Sequence, residues 1–150
     1  MLAEDMSYNL GPMLSEEIFK EFIAPYYKQL FPALQSKGIK VIIDSDGDIA
    51  KMIPWLIEAG ADGILPLERQ AGVDVNVLTA QYPDFLFIGG YDKMVMKFGK
   101  DAMIKEFERI LPAIQRGNYL PSVDHQTPPD VSLEDYKIYA GLLREYCRKV

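Results

Sequence analysis

One cysteine and one histidine stand in 150 residues, and lysine and arginine form no cluster. Each scarcity excludes something. The lone Cys147 rules out an internal disulfide and any multi-thiolate metal site, which fits a reducing, cytoplasmic setting, and its position suggests a buried thiol in a terminal helix. Without basic runs, and with a net charge of −6 and a pI near 4.8, the chain has no electrostatic footprint for nucleic acid or a membrane surface. Its apolar runs fall far short of the ~18 residues that a membrane span needs, and it does not open on a basic segment with an apolar core. Glycine-rich phosphate loops are missing too: Gly89-Gly90-Tyr91-Asp92-Lys93 is neither G-x-G-x-x-G nor a P-loop.

What is there is one domain's worth of chain, residues 1–150, 49% hydrophobic and long enough to bury about two-thirds of its unfolded surface. Helical spacing in residues 15–38 puts Ile18, Phe22, Tyr26 and Leu30 on one face, with Ser15 as cap, Gly38 at the end, and Pro25 and Pro32 predicting a bend. Apolar strands and helices then alternate. The strands are 40–44, 63–68, 85–92 and 118–124; the helices are 49–59 (stopped by Gly60), 73–81, 101–115 and 132–148. Glu4 and Asp5 read as the end of one further strand.

Continuous apolar strands separated by helices predict a parallel sheet covered by helices. An open doubly wound sheet gathers its polar groups at one crevice. Here every strand ends in one: Asp44 and Asp46, Glu68, Asp92 and Lys93, Asp124 and His125. That distribution favours a (β/α)8 barrel, whose sites collect residues from the C-terminal ends of several strands. Four units make half of one. A half-barrel leaves two unpaired parallel edges and an apolar inner face, so a homodimer or larger homo-oligomer is expected.

The segments EDMSYNLGPMLSEEIFKEFIAPYYKQL, IIDSDGDI, EAGADGILPLERQAGVDV, YPDFLFIGGYDK and GNYLPSVDHQTPPDVSLEDYKIY, in that order, resemble the uroporphyrinogen decarboxylase family, which includes the cobalamin-dependent (corrinoid) methyltransferases. The likeness covers nearly the whole chain. It implies the C-terminal half of a (β/α)8 TIM barrel and is nearest the methyltransferase-like branch, with a corrinoid protein or a separate N-terminal half-barrel as partner. The alternatives are decarboxylation of uroporphyrinogen in porphyrin biosynthesis and a non-catalytic ligand-binding half-barrel. The arginines and the aspartate that the decarboxylases carry in their first half have no positions here. The family's zinc methyltransferases have His-x-Cys where this chain has Asp44-Ser45-Asp46, so thiolate zinc does not transfer to it; any metal here would be a divalent ion on oxygen-rich ligands.

Asp44, Asp46 and Asp48 do not form a calcium loop of the EF-hand type, since the sixth and twelfth positions hold Ile49 and Trp55. Asp48 reads as a helix cap. Candidate catalytic residues are His125, as general acid/base, with Asp44 and Glu68. Glu68 alternatively pairs with Arg69 or Lys93. Candidate substrate-binding residues are Asp46, Gly90, Tyr91, Asp92, Lys93 and Asp124, and candidate metal ligands are Asp44, Asp46 and His125. Tyr91 and Tyr119 either wall the pocket or belong to the core. A rim this acidic repels a polycarboxylate and suits a divalent metal, an amine or a polyhydroxylated compound.

Overall fold

The computed structural model describes residues 1–149. A short strand β1 (Leu2–Ala3) leads into a hairpin of β2 (Ser7–Tyr8) and β3 (Gly11–Pro12). A helical run follows: α1 (Glu16–Ile18), a π-helical turn at Phe19–Ile23, and α2 (Ala24–Gln35). Four β/α units complete the chain: β4 (Ile42–Asp44) and α3 (Ile53–Ala59); β5 (Gly63–Leu65) and α4 (Val75–Gln81); β6 (Leu86–Tyr91) and α5 (Lys100–Arg116); β7 (Tyr119–Val123) and α6 (Leu133–Tyr146).

The sheet order is β1-β4-β5-β6-β7 and every pairing in it is parallel. Because strand order follows chain order without a reversal, the sheet is singly wound, as in one side of a (β/α)8 barrel. The two faces differ sharply. Ile43, Ile64, Phe87 and Tyr119 lie in register and are buried beneath the helices. Their neighbours Ile42, Leu65, Leu86 and Ile88 on the other face are half-buried, and Leu120 is 63% exposed. One face is therefore a finished core, into which α5 sends Met103, Phe107 and Ile110 and α6 sends Tyr139 and Leu142; the other is an open apolar concavity.

The amino-terminal ends of the strands are tied by side chains. Asp62 accepts from Val41 N–H at 2.8 Å, Lys40 Nζ at 3.0 Å and Gln35 Nε2 at 2.9 Å. Asn118 Nδ2 donates to the carbonyls of Thr79, Tyr82 and Phe85.

Two expectations fail here. Ile18, Phe22 and Tyr26 do share a face, but it points outward, at 49%, 60% and 70% exposure, and Leu30 is exposed too. The core face is Phe19, Tyr27 and Phe31: the helical run carries two apolar stripes, and the π-helical turn at Phe19–Ile23 resets the periodicity between them. Cys147 is exposed, because it sits at the C-cap of α6, beyond the last buried residue of that helix, Tyr146.

Candidate functional site

Parallel pairing carries the polar strand ends to one rim. Asp44 ends β4 and Asp46 follows it; Glu68 lies three residues past β5, Asp92 one past β6, and Asp124 and His125 follow β7. Asp5, two residues past β1, joins them.

Two overlapping clusters result. Asp46, Glu68 and His125 each offer a ligand atom within 4.8 Å of the others, and so do Asp5, Asp44 and Asp46. His125 Nε2 lies 3.4 Å from Asp46 Oδ2. Burial, and after it the like charges of Asp46 and Asp5, raise the Asp44 carboxyl above the ordinary range, with His125 pulling the other way.

Local backbone devices hold this arrangement. Leu67 adopts a left-handed φ of 63° with its side chain fully buried, a conformation costly for a branched residue. Immediately after it, the Glu68 carboxylate reaches across to the β4 loop, where the Gly47 N–H donates to Oε2 at 2.8 Å. Position 47 must be glycine: at φ 80° a Cβ would fall 2.3 Å from the main chain of Tyr8. The buried Ser45 hydroxyl accepts from the N–H groups of Met6 (3.0 Å) and Ser7 (3.2 Å), while the Ser7 hydroxyl donates to the Asp46 carbonyl at 2.6 Å. These bonds fasten the segment after β1, with Asp5, beside Asp44.

Several expected substrate contacts are held elsewhere. Tyr91 is fully buried on the helix side against Phe107 and Tyr139, and Tyr119 donates to the Gly89 carbonyl within the core; neither walls the mouth. Alternation along β6 decides this, since Phe87, Gly89 and Tyr91 share the helix-covered face. The glycine pair admits protein rather than ligand: a Cβ at Gly89 would lie 1.7 Å from the Pro66 carbonyl oxygen, and one at Gly90 2.1 Å from Val75. Asp92 caps the 3₁₀ turn Lys93–Phe98 through the Met94 N–H and also accepts from Gln70. Lys93 Nζ is held between Asp124, at 3.2 Å, and Gln70. Asp124 is fully buried, which pushes its carboxyl up against the opposing pull of Lys93. Glu68 meets the β4 loop rather than either of the cations expected for it. The metal-ligand set shifts likewise, with Glu68 joining Asp46 and His125 where Asp44 was expected, and Asp44 falling in the acidic neighbour cluster.

Sequence reasoning missed Asp5, Ser7 and Ser45 as parts of this site. The strand ending before Glu4 and Asp5 was the available signal for Asp5; nothing in the local pattern marks the two serines.

With Lys93 engaged by Asp124, and Arg69 Nη1 donating to the Val73 carbonyl, the mouth combines acidic oxygens with one imidazole. Such a donor set suits hard or borderline divalent ions and lacks the thiolates of a structural zinc site.

Comparison with known proteins places these residues in context. A family model described as uroporphyrinogen decarboxylase (URO-D) matches residues 4–146. The protein named Uroporphyrinogen decarboxylase from Hydrogenobaculum sp. (strain Y04AAS1) is 24% identical over 135 residues, which cover 88% of this chain and 38% of that relative. The chain thus spans little more than a third of the length of the relative it matches.

Proposed function

We propose, from the premise that this chain belongs to the uroporphyrinogen decarboxylase family, that it contributes the metal-holding part of a barrel mouth serving methyl transfer, as in the family's corrinoid-dependent branch. The observation that carries this is the meeting of Asp46, Glu68 and His125 within 4.8 Å at the carboxyl end of the sheet. These three would hold a divalent ion such as Mn²⁺, Mg²⁺ or Zn²⁺. Bound there, the ion would supply Lewis acidity toward a substrate heteroatom. Asp44, its carboxyl raised above the ordinary range by burial and by its acidic neighbours, stands beside them. His125, outside a metal complex, is the group suited to move a proton between solvent and substrate.

Decarboxylation of a polycarboxylate is supported by the name of the matched relative. Against it stands the charge of the rim, where Asp5, Asp44, Asp46 and Glu68 repel such a substrate. In this reading the open sheet face is covered by a second copy. The two free edges, β1 and β7, belong to the same parallel sheet, so a two-fold axis along the strands sets each β7 beside the other copy's β1.

Titration with Mn²⁺, followed by electron paramagnetic resonance and calorimetry, tests the metal. Stoichiometric binding lost in Asp46→Asn and His125→Ala, but not in Cys147→Ala, supports it; binding indifferent to Asp46 and His125 refutes it. Demethylation of methylcobalamin in the presence of the metal-loaded chain and an acceptor tests the chemistry.

A further inference from the structure

We infer that Asp124 is the positioning residue of this mouth, fixing Glu68 and His125 against Asp46 without itself meeting a ligand. Its carboxylate is fully buried, directly behind the rim. Oδ2 accepts from the Arg69 N–H at 2.9 Å, and Oδ1 from the Lys93 N–H at 3.2 Å, with Lys93 Nζ 3.2 Å from the same oxygen. Arg69 is the residue after Glu68, and His125 the residue after Asp124. One carboxylate therefore anchors the main chain next to two of the three clustered side chains and joins the loops that follow β5, β6 and β7.

The lacing continues through Glu68, which takes the Gly47 N–H and so reaches the residue after Asp46. Gln70 closes a further stitch, donating to Asp92 at 2.8 Å and accepting from Lys93 Nζ at 2.7 Å. Main-chain bonds carry the strand pairing up to this height, from the Gly90 N–H to the Pro66 carbonyl at 3.0 Å and from the Asp124 N–H to the Tyr91 carbonyl at 2.9 Å, and beyond them side-chain acceptors space the loops. A carboxylate suits this place because it has two oxygens and several lone pairs for two N–H groups and an ammonium, whereas an amide offers one acceptor and would aim its NH₂ at a donor. Outer groups of this kind, which orient ligands without touching the metal, typically matter by about 10- to 100-fold in metal affinity.

The inference rests on the proposed metal reading for its consequence but not for its geometry, and two measurements separate them. In the 150-residue chain, amide hydrogen exchange at Arg69 and Lys93 is compared among wild type, Asp124→Asn, Asp124→Ala and the surface control Asp130→Asn, whose parent carboxylate pairs with Lys97 at 2.8 Å. Exchange at both amides should speed at least ~10-fold in Asp124→Ala and remain unchanged in the control. Mn²⁺ affinity should fall by about 10- to 100-fold in Asp124→Ala and less in Asp124→Asn, which keeps one acceptor. If Asp124→Ala does not fold, Asp124→Asn decides alone. Unchanged exchange in a folded Asp124 variant overturns the inference, and so does a variant of lowered melting temperature that keeps full Mn²⁺ affinity. Absence of Mn²⁺ binding in wild type overturns the metal reading, and the exchange result still judges Asp124.

Discussion

Substituting Leu120 by lysine separates the two faces of the sheet. Leu120 is 63% exposed in the single chain, on the open face of edge strand β7. For an isolated chain the change should be nearly silent, within about 0.5 kcal/mol, as surface substitutions usually are. If a second copy covers this face, each chain loses the burial of the 63% of Leu120 still exposed, worth about 1–2 kcal/mol, and the dimer loses it twice. The resulting sum of about 2–4 kcal/mol corresponds to roughly 30- to 10³-fold weaker self-association. The comparison is Phe87→Ala on the sealed face, where a fully buried ring is removed and about 3–5 kcal/mol of chain stability should disappear at any protein concentration. Sedimentation equilibrium from nanomolar to about 100 µM, with melting temperature followed against concentration, reads both effects. A wild-type chain that stays a 17.0 kDa monomer throughout that range refutes the argument, and with it the second copy as the cover of the open face.

Two further outcomes follow from the mouth and its scaffold. Asp44 has a raised pKa in the folded chain, so it favours the folded state fully below its unfolded value of about 3.8 and loses that contribution as pH rises through the raised folded value. Asp44→Asn should therefore stabilise the protein at pH 7, with the gain vanishing as pH falls below 4; a melting curve unchanged at pH 7 contradicts the assignment. Gly89→Ala must place a Cβ at φ 112° against the Pro66 carbonyl and should cost about 3 kcal/mol or more, or abolish folding, as circular dichroism would report.

Strand existence and the shared polar rim were legible because both follow from local pattern. An apolar run such as Val41–Ile43 has no alternative to burial, and a carboxylate at its end has no place within the core. The orientation of the first helical run was not legible: Ile18-Phe22-Tyr26 and Phe19-Tyr27-Phe31 are equally apolar, and the choice between them is made by the neighbouring helix, where Trp55 meets the Phe19 ring. Nor could spacing reveal that Glu68 rather than Asp44 would join Asp46 and His125, since that depends on the left-handed turn at Leu67, a position whose residue type gives no warning of it. Asp124 was picked out as polar and near the mouth; its inward aim is set by donors on two other loops.

The ties at the amino-terminal ends of the strands, through Asp62 and Asn118, bear on how this scaffold can change over generations. They hold neighbouring strands and loops together at the end opposite the mouth, so strand pairing has support that asks nothing of the residues along the rim. A substitution at Asp46 or His125 can then be sampled without first breaking the ties that keep the sheet assembled, and rim chemistry becomes something inheritance can vary cheaply. Such a division between a self-supporting base and a separate lip is one a frame needs if new ligands are to be tried on it.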